Sequence, residues 1–296
     1  MNREREIYKV TLMGSAGNVA LLTFKFIAGF VGNSSAMIAD AVHSLSDFIT
    51  DLVVLAFVRA SSKPQDESHD YGHGKYETVA SFLIGLALIA AAVGIIVSGS
   101  LKLVSWFQGD MLAKPGMLAL WAAVLSIIVK EVLYRYTVHK GKQLDSSAVI
   151  TNAWHHRSDA LSSIGAMLGI GGAILLGDRW TVLDPLASIL IGLMLVKVAI
   201  NLLKTSLGEL TDGSLSPEME HEIESIITSL SGVSEPHNLR TRRVGNRMAI
   251  EVHIRMDGNI SLHNAHHQAT IIEQRLKQRF GSDTLVTIHM EPIPSS

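Results

Sequence analysis

The chain has 296 residues, 48% hydrophobic and 18% charged, with a formal net charge of −2; a soluble globular chain carries about 25% charged residues. This balance argues against a basic nucleic-acid binder, and the cysteine count of 0 removes disulfide scaffolds, zinc fingers and thiolate copper sites. Thr78 to Leu101 and Ala160 to Gly177 contain no Asp, Glu, Lys or Arg, and runs of that length suit a helix crossing a bilayer, which argues against a purely soluble enzyme.

Six apolar segments follow in chain order: Tyr8–Val31, Ala36–Val58, Val79–Trp106, Gly116–Tyr136, Ala148–Leu176 and Val182–Leu203. The charged start, Met1 to Glu6, leads into the first without a small-residue cleavage pattern, which predicts a retained span rather than a signal peptide. Trp106, Trp121 and Trp180 fall near segment ends, where interfacial anchors belong. Arg3, Arg5, Lys9, Arg59, Lys63, Lys75, Arg135, Lys140, Lys142 and Lys204 cluster on one side, with little beyond Lys114 and Arg179 on the other. The positive-inside rule therefore predicts that both termini are cytoplasmic.

After Leu210 the texture changes. Ser216-Pro217 followed by Glu218, Glu220, Glu222 and Glu224 predicts a helix start. Leu239–Val244 and Met248–Met256 read as strands around Gly245-Asn246, followed by a helix at Leu262–Phe280 and a strand at Thr284–His289. The expectation is a polytopic α-helical membrane domain of six transmembrane helices (residues 1–210) followed by a cytosolic α+β domain of αββαβ order (residues 211–296).

Charges occur where a bilayer disfavours them. Asp40, His43, Asp47 and Asp51 of the second segment fall within about 80° of one helix face at roughly 100° per residue. In the fifth, His155 and Asp159 are also four apart. A charge at mid-membrane costs at least ~2.5–3.5 kcal/mol on insertion scales. Two His/Asp pairs on facing helices would offer two imidazole nitrogens and two carboxylate oxygens, a set that suits tetrahedral Zn²⁺; magnesium or calcium would favour more oxygens and copper(I) would favour sulfur. The competing reading is a structural polar core whose groups bond only to one another. Asp40 and Asp51 read as supporting groups or lining of a water path, and Lys25 reads as reaching toward the outer interface. Lys130, Glu131 and Lys197 have no partner legible in the sequence.

On these residues the whole chain resembles the cation diffusion facilitator family of divalent-metal/proton antiporters, whose cytosolic domain is metallochaperone-like. The resemblance implies a transport site at His43, Asp47, His155 and Asp159; some bacterial zinc/iron members carry Asp at the place of His43, and the His here is similar to the zinc-selective members. It implies a second metal site at Asp66, His69 and His73 in the loop after the second segment. It also implies a cytosolic zinc site at the dimer interface formed by His237, His253, His266, His289 and Glu291, with Asp more usual at the last position, and a structural charge pair between Lys75 and Asp212. The expected protein is a non-enzymatic exporter that works as a homodimer, taking Zn²⁺ as substrate and as structural or regulatory ion. It would exchange that ion for protons across a bilayer, with no nucleic-acid partner. The His-rich loop that many vesicular members carry between segments four and five is missing, which implies a multi-pass protein of a bacterial inner (plasma) membrane. Mn²⁺, Fe²⁺, Co²⁺ and Cd²⁺ stand as alternative substrates. An intramembrane metalloenzyme, which would want three ligands and a general base, has no His-Glu-x-x-His helix to support it here.

Overall fold

The computed structural model describes residues 3–294 except 62, 64, 144–146 and 246; the side chains at 3–13, 50, 51, 53–61, 141, 147–152, 155 and 156 are also outside the described set. Six long helices come first: α1 (Arg3–Val31), α2 (Ser35–Ser61), α3 (Lys75–Phe107), α4 (Met117–Gln143), α5 (Ser147–Leu175) and α6 (Leu183–Leu210), with a 3-10 turn at Asp178–Trp180 before the last. The order α7 (Pro217–Thr228), β1 (Ser234–Val244), β2 (Arg247–Met256), α8 (Leu262–Phe280), β3 (Leu285–Pro292) completes the chain, as the predicted αββαβ pattern requires. Helix ends overrun the apolar segments: α3 starts at Lys75 and α6 continues to Leu210, because polar residues extend a helix as readily as apolar ones. β1 likewise begins before the predicted Leu239 and β3 ends beyond the predicted His289.

Among the described residues five stretches are long and apolar enough to cross a membrane: Gly14–Val31, Lys75–Phe107, Met117–Lys140, Arg157–Leu175 and Asp178–Leu210. The chain divides into two compact units, Met1–Leu52 with Ile84–Asn201, and Val53–Leu83 with Leu202–Ser296. In the first, the buried cluster is rich in alanine (Ala28, Ala36, Ala39, Ala92, Ala119, Ala122, Ala123, Ala166, Ala199), while Leu101, Trp121, Ile128, Leu168 and Leu190 are exposed. Small residues inside and large apolar ones outside suit helices packed in lipid, where close backbone approach drives association. The α1–α2 turn shows how close: a Cβ on Gly32 would lie 2.5 Å from the Ala28 carbonyl and 3.0 Å from the Ala119 Cβ. Asp184, buried in the first turn of α6, caps α2. Its carboxylate accepts from Ser34 Oγ at 2.5 Å, from the Ser35 N–H at 2.7 Å and from the Ala36 N–H at 3.2 Å, supplying a negative group to otherwise unsatisfied donors.

In the second unit β1 runs antiparallel to β2, and β3 joins β2 in parallel after the α8 crossover. Ile250, Val252, Ile254 and Met256 of β2 pack with Ile223 and Ile227 of α7 and Ile272 and Leu276 of α8. Period-two alternation sends His253 to the opposite sheet face. Ser216 and Ser261 cap α7 and α8 by accepting from the Met219 and Asn264 N–H groups. The loop before α3 lies on the β1–β2 turn: a Cβ on Gly74 would come within 2.5 Å of the Val244 carbonyl.

Candidate metal centres

Within the helical unit, α2 brings His43 and Asp47 onto one face and α5 brings Asp159 to meet them. One ligand atom from each of the three lies within 4.8 Å of the others. Asp159 is only 7% exposed, and His43 Nδ1 is buried with no hydrogen-bond partner among the described residues. Leaving a buried polar atom unsatisfied is costly, and an incoming cation would satisfy it. Position 155 lies one helical turn before Asp159 on α5; the His155 side chain lies outside the described residues, as does that of Asp51. Asp40 does not join the cluster. It forms a fully buried ion pair with Lys25, Nζ to Oδ2 at 2.7 Å, so Lys25 does not reach toward an interface as expected from the sequence. Neutralisation at membrane depth outweighs snorkelling there. Ser162 Oγ and Ser163 Oγ donate to the two Asp40 oxygens at 2.7 and 2.9 Å, and Lys25 also donates to Ser44 and Ser163 at 3.0 Å.

The loop brings all three predicted residues together: Asp66, His69 and His73 place one ligand atom each within 4.8 Å of the others. Asp66 Oδ1 accepts from Ser68 Oγ at 2.8 Å and from the Ser68 and His69 N–H groups at 2.9 Å. The Ser68 hydroxyl bond, followed by those backbone donors, lowers the Asp66 carboxyl to about 2, so it stays an anion well below neutral pH. The rings of His69 and His73 stand 4.2 Å apart.

On the sheet face opposite the helices, register puts His237 opposite His253 and His253 opposite His289. His237, His253 and Glu291 form the compact group, again within 4.8 Å. His253 Nδ1 lies 2.9 Å from Glu291 Oε1 and His237 Nε2 lies 3.3 Å from Oε2; His289 Nε2 stands 3.8 Å from the same carboxylate. The hydrogen bond from His253, reinforced by the charges of His237, His253 and His289, holds Glu291 below the ordinary glutamate range. Register shifts on both sides of His237 bend β1 and aim the ring. His237 Nδ1 lies 2.8 Å from the Glu235 carbonyl, an acceptor only, so Nδ1 carries a proton and Nε2, the nitrogen facing Glu291, is the one that could serve as a ligand. His266 does not join this group within one protomer; it is exposed on α8, an element packed against the other sheet face. Lys75 Nζ and Asp212 Oδ1 meet at 2.7 Å.

Comparison with known proteins bears on what these clusters serve. Residues 11–211 match the family model described as the cation efflux transmembrane domain, and residues 215–293 match that of the cation efflux protein cytoplasmic domain. The chain belongs to the cation diffusion facilitator family. It is 32% identical to the manganese efflux system protein MneP of Bacillus subtilis, over 98% of this chain and 97% of that one. It is 35% identical to an uncharacterised transporter of Methanocaldococcus jannaschii, over 92% and 94%. A solved structure of the metal-bound C-terminal domain of the CzcD transporter from Thermotoga maritima is 34% identical, covering 26% of this chain and 91% of that one, with a TM-score of 0.25. The protein is thus a multi-pass membrane protein of a divalent-metal efflux family, with a helical transmembrane domain followed by a cytosolic α+β domain.

Several partners in this cation diffusion facilitator were not legible beforehand. Lys130 stands 3.4 Å from Asp159 Oδ2, and Glu131 pairs with Arg135 at 2.8 Å and approaches Arg157 at 4.0 Å. Lys197 is exposed on α6. One signal was available for Lys25: it lies seven residues before Gly32 and Asp40 six after Ser34, so two antiparallel helices hold them at one depth.

Proposed function

We propose that the protein exports Zn²⁺ from the cytoplasm in exchange for protons, by alternating access, through a His₂Asp₂ site made of His43, Asp47, His155 and Asp159. The supporting observation is the convergence of His43, Asp47 and Asp159 within 4.8 Å inside a bundle of long apolar helices. Imidazole nitrogen beside carboxylate oxygen suits zinc, and four such ligands make a tetrahedron. Metal and protons compete for the same lone pairs, so loading releases protons and protonation from the far side favours release. Histidine, with a reference pKa near ~6.5, is suited to that exchange at physiological pH.

In this reading residues 1–210 carry transport and residues 211–296 carry metal binding and dimerisation, in a homodimer of a bacterial inner membrane. Zn²⁺ at Asp66/His69/His73 and at His237/His253/Glu291, with His289 alongside and His266 available to a second copy, is structural or regulatory. The protein acts as a transporter and not as an enzyme. The name of MneP favours a second reading in which the exported ion is Mn²⁺. Zinc flux into proteoliposomes holding a pH dye tests both: zinc moves with an opposing proton signal, and Asp159→Ala abolishes both signals. Manganese flux without zinc flux selects the second reading, and undiminished zinc flux in Asp159→Ala overturns the site.

A further inference from the structure

Among the described residues two lysines of the helical unit are buried, and they do different things. Lys25 is ion-paired directly with Asp40, whose oxygens are further occupied by Ser162 and Ser163. Lys130 instead faces a carboxylate of the candidate transport cluster. Its Nζ lies 3.4 Å from Asp159 Oδ2, and the two side chains are 4% and 8% exposed.

The charge count in the cluster makes that position consequential. In the state that accepts a metal ion, with Asp47 and Asp159 ionised and His43 neutral, the three ligands carry two negative charges. Lys130 offsets one of them when no ion is bound. A divalent cation offsets both, and the Lys130 ammonium then stands as one positive charge too many beside a filled site. Opposing charges a few ångströms apart interact strongly away from bulk water. An ion that is to be carried across must be held weakly enough to leave.

We propose that Lys130 is a tethered counter-cation that sets the affinity of the transport site, by neutralising Asp159 when the site is open and repelling the bound divalent ion. This rests on the reading of His43, Asp47 and Asp159 as the transport ligands. The lysine fits the task because its ammonium is a point charge on a flexible stem, able to approach the carboxylate and retreat from it. It is a positioning and affinity-setting residue, not a ligand. A purely mechanical role, a strut between α4 and α5, would change binding in the opposite direction: losing the strut loosens the site and weakens binding.

Initial rates of Zn²⁺ and Mn²⁺ transport, measured in proteoliposomes over a concentration series, separate the two. Lys130→Met is expected to lower KM for the transported ion roughly tenfold or more and to lower the maximal rate, because release slows; Lys130→Arg is expected to return KM toward the native value. An unchanged or raised KM in Lys130→Met overturns the proposal. Lys130→Gln is read in the same way, and if neither neutral variant folds while Lys130→Arg does, the strut replaces the counter-cation. Asp159→Asn run beside them keeps the underlying reading separate. Native kinetics in Asp159→Asn reject the transport site itself, whereas lost transport there with an unmoved KM in Lys130→Met rejects only the role of Lys130.

Discussion

Lys25 and Asp40 meet at 2.7 Å with both side chains 0% exposed, and Lys75 and Asp212 meet at the same distance with 37% and 53% exposed. The contact geometry is shared; the surroundings are not. The first pair sits among packed helices with Ser44, Ser162 and Ser163 completing its hydrogen bonds. The second is washed by solvent. A salt bridge drawn from distance alone would rank them as equals, but burial raises both the penalty of an unmatched charge and the strength of the attraction. The comparison extends to the metal clusters. The loop cluster draws on local donors, such as the Ser68 hydroxyl on Asp66, and Glu291 of the sheet cluster has Arg255 at 3.9 Å in a half-exposed setting, while Asp159 of the helical cluster has a buried lysine drawn up to it.

The largest effect should come from unbalancing the buried pair. Asp40→Asn leaves the Lys25 ammonium facing a neutral amide and is expected to destabilise the protein by about 3–5 kcal/mol. Replacing both, Lys25→Met with Asp40→Leu, should cost far less, because an apolar pair of similar volume carries no desolvation penalty. Thermal unfolding in detergent compares the two variants. Equal losses in single and double variants would mean that the serine network, not charge balance, carries the stability.

An intermediate effect is expected at Asp184. Asp184→Ala removes the acceptor shared by Ser34 and the Ser35 and Ala36 N–H groups, and should cost about 2 kcal/mol. Asp184→Asn, which retains one oxygen, should recover part of this. Unfolding midpoints that do not separate the two variants would place the role of Asp184 elsewhere than in capping α2.

What could be read from the sequence follows the range of each interaction. Helical and strand periodicity are local, so the six long helices, the αββαβ order and the His43/Asp47 face were legible from spacing alone. Register then needs one further step, and the row His237–His253–His289 required the pairing of three strands. Lys130 with Asp159, and Asp184 with Ser34, join residues that are distant in the chain. No periodicity encodes them; they exist because α4 packs on α5 and the start of α6 reaches the start of α2. His266 marks the converse case, a residue that the family resemblance offers as a ligand but whose helix covers the other sheet face within one protomer.

The exposed pair supplies the smallest effect and the sharpest contrast. Lys75→Ala should change stability by no more than about 1 kcal/mol at low salt and by less as salt screens the pair. The pH dependence has a definite sign. The hydrogen bond from Lys75, then its charge and that of Arg242, lowers the Asp212 carboxyl from its ordinary value of 3.8. A carboxyl lowered in the folded state contributes its full share above the unfolded value and loses it as pH falls through the folded one. The difference in unfolding midpoint between native protein and Lys75→Ala should therefore be constant from neutral pH down to about pH 5 and close progressively below that. A difference that persists in strong acid and in molar salt would show that Lys75 acts there through the packing of its aliphatic stem, and the contrast with Lys25 would then be one of contact area rather than of dielectric.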